Sequence, residues 1–204
     1  MGRDVRRLPW LLRYGYGRRI ASSWRRRMLL MTHSHLDVEI APGVAIGPRC
    51  DLWMPAQATL HVGAGSEFRR DFFCEIAPGG RVEMSEGVIF TSAALIQIST
   101  SLTIGKRAVF GQSVMIADGN HKFRDHTLHL LDQGYDFQPI VIGDNAIVTS
   151  KCTILNSIGE GAVIGAGSVV TQPIPAYCLA VGAPARVVDY FGPEDQRPEG
   201  LGLR

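Results

Sequence analysis

Ile142–Val169 reads IGDNAIVTSKCTILNSIGEGAVIGAGSV. An aliphatic residue returns every six positions, often followed by Gly and, four residues on, by something small. The units are Ile142–Ile147, Val148–Thr153, Ile158–Val163 and Ile164–Val169. The same period appears upstream in Ile104–Val109 and Phe110–Met115, and again in Ile40–Ala45 and Ile46–Asp51. Six matches neither the 3.6-residue period of a helix nor the two-residue period of a strand. It fits a solenoid whose coil has three short flat sides, one hexapeptide to a side. The aliphatic residue then fills the interior and Gly turns the corner. The small residue (Ala108, Ala146, Cys152, Ala162, Ser168) avoids crowding inside. The expected class is all-β, a parallel β-helix.

The frame slips at Ala94–Ile98 and at Ile154–Ile158, where four residues stand in place of six, and each slip predicts a shortened corner. Residues 60–95 are less regular. Between Ile116 and Ile140 the repeat stops. Residues 118–139 are polar in character, hold three of the six His, and predict a loop extruded from a corner, where function concentrates. The chain therefore divides into a basic helical arm (1–37), a β-helix (38–188, loop 118–139) and a loose tail (189–204).

The net charge of +2 conceals an asymmetry. Residues 1–27 hold nine Arg against the single Asp4, a local +8, which leaves −6 on the remainder. Ile20, Trp24, Met28 and Met31 recur at helical spacing. A first segment with Leu8, Leu11 and Leu12 is separated from them by Gly15 and Gly17. Two roles are open to this arm: a cap over the end of the solenoid, or adsorption of residues 1–31 to an anionic membrane. Neither involves chemistry, so a chain starting near Thr32 is expected to keep turnover. Cys50, Cys74, Cys152 and Cys178 form no CxxC pair and read as buried reduced thiols. No apolar run approaches the roughly 18 residues of a membrane span, and no secretory signal is evident, so the expected location is the cytoplasm, at most peripheral to the membrane's inner face. No phosphate-binding glycine loop is present. The acidic body argues against nucleic acid, despite Trp10, Tyr14, Tyr16 and Trp24 among the arginines.

The segment from Pro139 through Val170, His121 at the loop entrance, and Gly182–Arg186 (GAPAR) together resemble the hexapeptide-repeat acyltransferases of the maltose/galactoside and polysaccharide O-acetyltransferase type. The resemblance runs from about Ile40 to Val188. It implies a left-handed β-helix, a homotrimer, acetyl-CoA as acyl donor, and His121 as general base in a cleft between subunits. It also implies that the Ser150 N–H receives the thioester oxygen, that Ala166 and Thr171 line the pantetheine arm, and that Arg186 lies near the nucleotide phosphates. Gln172 stands where the family usually has Lys, which removes a phosphate contact. Residues 85–104 contain neither the Asn nor the Asp that sugar acetyltransferases often use to grip the acceptor. Gln97, Ser92, Ser99 and Thr100 are the polar groups in their place.

The chemistry needs few parts. An alcohol is a poor nucleophile at neutral pH, so a base must take its proton as the new bond forms, and a donor must stabilise the oxyanion. A His titrating near 6.5 suits the first task. Its second nitrogen needs a partner, for which Asp118, Asp125 or a loop carbonyl are candidates. The acceptor is expected to be a sugar or glycan hydroxyl, with a small antibiotic-like molecule as the alternative. Two rivals use the same scaffold: a γ-carbonic-anhydrase-like zinc enzyme, suggested by the five-residue spacing of His121 and His126, and a non-catalytic trimeric scaffold. Zinc would need a third imidazole about two coils upstream. Residues 62–120 contain no His, so no metal is expected.

Overall fold

The computed structural model describes Pro9 and residues 17–198. Helix α1 (Gly17–Thr32) leads into short strands that wind through three parallel sheets, the arrangement of a left-handed parallel β-helix. Each coil lays one strand on each face. On the first face Ile40, Val62, Met84, Ile104 and Ile142 stack in register. On the second face the column is Ile46, Phe68, Phe90, Phe110, Val148, Ile164 and Ala180. On the third it is Leu52, Cys74, Ile96, Ile116, Ile154 and Val170. These columns are the core, and nearly every member is fully buried.

The irregular stretch 60–95 forms regular coils. Its pattern is hard to read because aromatic rings replace aliphatic ones: Phe90 stacks on Phe110 at 4.2 Å between centroids, and Phe68 on Phe72 at 4.4 Å. The slip at Ala94–Ile98 is a lengthened side, which corrects the expected short corner. Ala94, Ile96 and Ile98 all point inward, because two extra strand residues add one more interior position. The slip at Ile154–Ile158 is a shortened side, with a single bridge residue, Ile158, replacing a strand pair.

The role of the repeated Gly also changes. At Asn145 the backbone turns the corner with φ 56°, and Lys151 does the same at 60°, both in the left-handed region. Gly143, in contrast, is required by the close approach of the next coil: a Cβ there would lie 2.3 Å from the Glu160 nitrogen. The small interior residues behave as expected, and Ser168 satisfies its buried hydroxyl by donating to Gly165 O and accepting from Gly182 N–H.

Helix α1 caps the open N-terminal end. A first coil would otherwise leave strand groups unpaired. Arg26 donates to Ile40 O and Ala41 O, Arg25 to Ile46 O, and Ser22 Oγ accepts from Ile46 N–H. His33 Nε2 lies 3.3 Å from Leu52 O, so all three faces are engaged. Leu29 and Leu30 pack on the core. The side turned inward thus combines Arg25 and Arg26 with Leu29 and Leu30, while Ile20, Trp24, Met28 and Met31 are exposed. The segment with Leu8, Leu11 and Leu12, and the aromatics Trp10, Tyr14 and Tyr16, lie outside the described residues. At the other end, Cys178–Val181 pairs antiparallel with Arg186–Tyr190, and the buried Tyr190 donates to Pro193 O at 2.5 Å. Tail residues 199–204 lie outside the described residues. No described helix is long and apolar enough to cross a membrane.

Candidate active site

The extruded segment leaves the third face after Met115–Ala117 and is a hairpin. Gly119–His121 pairs antiparallel with Tyr135–Phe137, and a 3-10 turn at Leu130–Asp132 closes its tip. Its character is less polar than its composition suggests, since Phe123, Leu128, Leu131, Tyr135 and Phe137 are exposed.

Asp118 roots the hairpin. Its buried carboxylate accepts from Ser99 N–H at 2.9 and 3.0 Å, and from Thr100 N–H and Thr100 Oγ at 2.6 Å each. The Asp118 carbonyl accepts from Gln138 N–H, which clamps the two ends of the hairpin together. Gln138 Nε2 donates to Leu155 O at 2.8 Å, tying the hairpin to the next coil.

His121 sits opposite Tyr135 in the hairpin register, with ring centroids 4.2 Å apart, and Tyr135 in turn stacks on Phe137 at 5.4 Å. Its Nδ1 is enclosed and has no hydrogen-bond partner among the described residues. Neither Asp118 nor Asp125, the expected orienting partners, bonds this nitrogen. The Asp118 oxygens are used at the hairpin root. Asp125 Oδ1 accepts from Thr127 Oγ and N–H, and these bonds hold its carboxyl below the usual range. What fixes the imidazole here is strand pairing and the Tyr135 ring. The signal for this was present as YDF facing GNH across a turn, but register is visible only once the hairpin is formed.

His121, Phe123, Arg124, Leu128 and Gln133 line an open pocket of about 430 Å³. His129 Nδ1 accepts from Leu131 N–H and caps the 3-10 turn, a structural use. His126 is exposed at the tip. Among the described residues one trio has ligand atoms mutually within reach of a metal, Asp37, Glu39 and His61, on the first face and outside the hairpin.

Ser150 lies at the corner after the second face. Its carbonyl accepts from Gly167 N–H and its hydroxyl from Gln112 N–H at 3.1 Å. The Ser150 N–H has no acceptor among the described residues. Gly111 permits the close stacking of coils here, for a Cβ on it would lie 2.5 Å from Ser150 N. One coil on, Val148 and Ile164 are in register, which places the exposed Ala166 at the same corner as Ser150. Val181 pairs with Arg186 one further coil on, so the exposed Arg186 reaches this edge too. Thr171 and Gln172 follow the third face and share their edge with the hairpin root. One chain therefore gathers Ser150, Ala166 and Arg186 on one edge, and His121, Thr171 and Gln172 on the next.

No family model matches the chain. It is 29% identical over 188 residues to a protein of Mycobacterium tuberculosis named as a probable acetyltransferase, covering 88% of this chain and 57% of that one. It is 35% identical over 98 residues to the galactoside O-acetyltransferase of Escherichia coli, covering 47% of each. The chain thus spans little more than half of the first relative and less than half of the second. Among solved structures, an N-acyltransferase from Bacillus cereus, in complex with coenzyme A and dTDP-4-amino-4,6-dideoxyglucose, superposes with a TM-score of 0.62 at 14% identity. That match covers 83% of this chain and 91% of the other. A hexapeptide-repeat acetyltransferase from Vibrio cholerae, in complex with acetyl-coenzyme A, superposes with a TM-score of 0.56 at 18% identity, covering 84% and 79%. These two establish the fold.

Proposed function

We propose that this chain, a member of the hexapeptide-repeat acetyltransferase family, moves an acetyl or short acyl group from coenzyme A to a hydroxyl of a sugar or glycan. The observation that carries the reading is His121, held at the entrance of the extruded hairpin beside an open pocket. The similarity to acetyltransferases of Mycobacterium tuberculosis and Escherichia coli supports the acyl-transfer class.

In the mechanism, His121 Nε2 takes the acceptor's hydroxyl proton as the oxygen attacks the thioester carbonyl. The Ser150 N–H donates to the oxyanion of the tetrahedral intermediate. As the intermediate collapses, the C–S bond breaks and the His121 imidazolium returns its proton to the departing thiolate. No covalent enzyme intermediate is needed. The donor's pantetheine arm lies against Ala166 and Thr171, and its phosphates near Arg186, with Gln172 contributing no charge. Because His121 and Ser150 occupy different edges of one prism, the complete site is formed by two copies, the edge of one facing the hairpin of the next in a homotrimer.

The direct test pairs calorimetric titration of coenzyme A with thiol release from acetyl-CoA over a panel of sugars. Saturable binding and acceptor-dependent release support the proposal. Absence of donor binding would make the chain a scaffold, and stoichiometric zinc lost on His121→Ala would make it a metalloenzyme.

A further inference from the structure

We propose that the outward face of helix α1 is a docking surface for an anionic lipid bilayer. The helix is two-faced, and the fold uses only one face. Arg25, Arg26, Ser22, Leu29 and Leu30 point to the solenoid and cap it. The opposite stripe is left in solvent: Ile20 is 72% exposed, Trp24 62%, Met28 38% and Met31 68%. These four fall at intervals of four, four and three residues and lie on one side of the cylinder. A folded protein gains nothing from presenting such a stripe to water, and a contiguous apolar strip marks an interaction site.

Charge selects the occupant. The helix holds Arg18, Arg19, Arg25, Arg26 and Arg27 and no acidic residue. Arg27 borders the stripe, about 20° outside it at 100° per residue, and Arg18 and Arg19 stand exposed at the N-terminal end of the helix. Apolar side chains that include Trp, bordered by cations, suit the headgroup–acyl boundary of a bilayer containing acidic lipids. A second copy of the chain suits it less, because stripe-to-stripe pairing would bring Arg27 against Arg27. A nucleic acid would leave the apolar strip unburied. Four apolar side chains give weak adsorption alone, and the cations supply the second signal that surface anchoring needs. This reading does not rest on the acyltransferase assignment.

The test is vesicle flotation of the full 204-residue chain. The vesicles are phosphatidylcholine alone, or phosphatidylcholine with 30 mol% (about one lipid in three) phosphatidylglycerol. Binding is expected on the acidic vesicles, to be at least about tenfold weaker on the neutral ones, and to fall as salt shortens the Debye length. The double variant Trp24→Gln/Met28→Gln touches no capping contact. It should keep the wild-type unfolding temperature and lose about tenfold or more of its partition coefficient. Arg27→Gln should lose about fivefold. Three results would overturn the proposal: no binding to acidic vesicles; equal binding by wild type and the double variant, which would assign adsorption to residues 1–16; or a change in oligomeric mass in the double variant, which would make the stripe a protein interface.

Discussion

The Asp118 carboxylate accepts both the backbone N–H and the hydroxyl of Thr100 at 2.6 Å, across 18 residues of chain. A buried carboxylate with this many donors is locked, and the lock lies three residues before His121. The hairpin is therefore positioned from its root and not from its tip.

Replacing Asp118 by Ala strands the Ser99 and Thr100 donors. The expected loss is about 2–4 kcal/mol of stability, since the bonds are charge-assisted and the donors sit against a buried site. Turnover should fall further than donor affinity, because the hairpin carrying His121 loosens while the Ser150 edge is untouched. Thermal unfolding together with coenzyme A titration checks both halves.

His121→Ala should lower turnover by about 10²–10⁴-fold and leave donor affinity nearly unchanged. Arg186→Ala should do the reverse. A phosphate contact distant from the reacting carbonyl acts equally in ground and transition states, so its loss appears in donor KM with kcat nearly constant. Wild-type turnover in His121→Ala would move the base elsewhere.

Sedimentation equilibrium at micromolar concentration should give three times the 22.3 kDa chain mass. A monomer would leave His121 and Ser150 on separate edges with no means of meeting over one substrate.

A chain beginning at Thr32 should be destabilised, as the capping role of the arm requires. It lacks Ser22, Arg25 and Arg26, which pair the first coil's edge, and Leu29 and Leu30, which cover its core. Lower unfolding temperature and faster amide exchange at Ile40–Ile46 are the expected readouts. The single variant Arg26→Ala should cost about 1–2 kcal/mol.

Burial pushes the Cys74 thiol up to about 12, and raises Cys178 as well. Neither is a thiolate near neutrality, so neither should react with an aromatic disulfide reagent at pH 8 while the protein is folded. The half-buried Cys50 should label first, and the rest only at the rate of unfolding. Immediate labelling of four thiols would contradict the packed columns.

The sequence by itself determined the solenoid, because a period of six is written in contiguous residues and each hexapeptide repeats the same local demand for one interior aliphatic side chain. It marked the extruded segment by the same logic, as the stretch where that demand stops. It singled out His121, and it read the cysteines as interior thiols. Everything that depends on registers between coils was decided only by the tertiary structure. The Phe68, Phe90 and Phe110 column is one feature spread over three distant strands. Gly143 is needed because of Glu160 on the next coil, and Asp118 serves Thr100 instead of His121. Helix α1 shows the limit most plainly. Its spacing revealed an amphipathic cylinder, yet the solenoid end it meets presents carbonyl and N–H groups beside an open core, and these take the side that carries Arg25, Arg26, Leu29 and Leu30. The apolar stripe is turned outward because Ser22, Arg25 and Arg26, which bond the edge groups, and Leu29 and Leu30, which cover the core, share the opposite side of the cylinder.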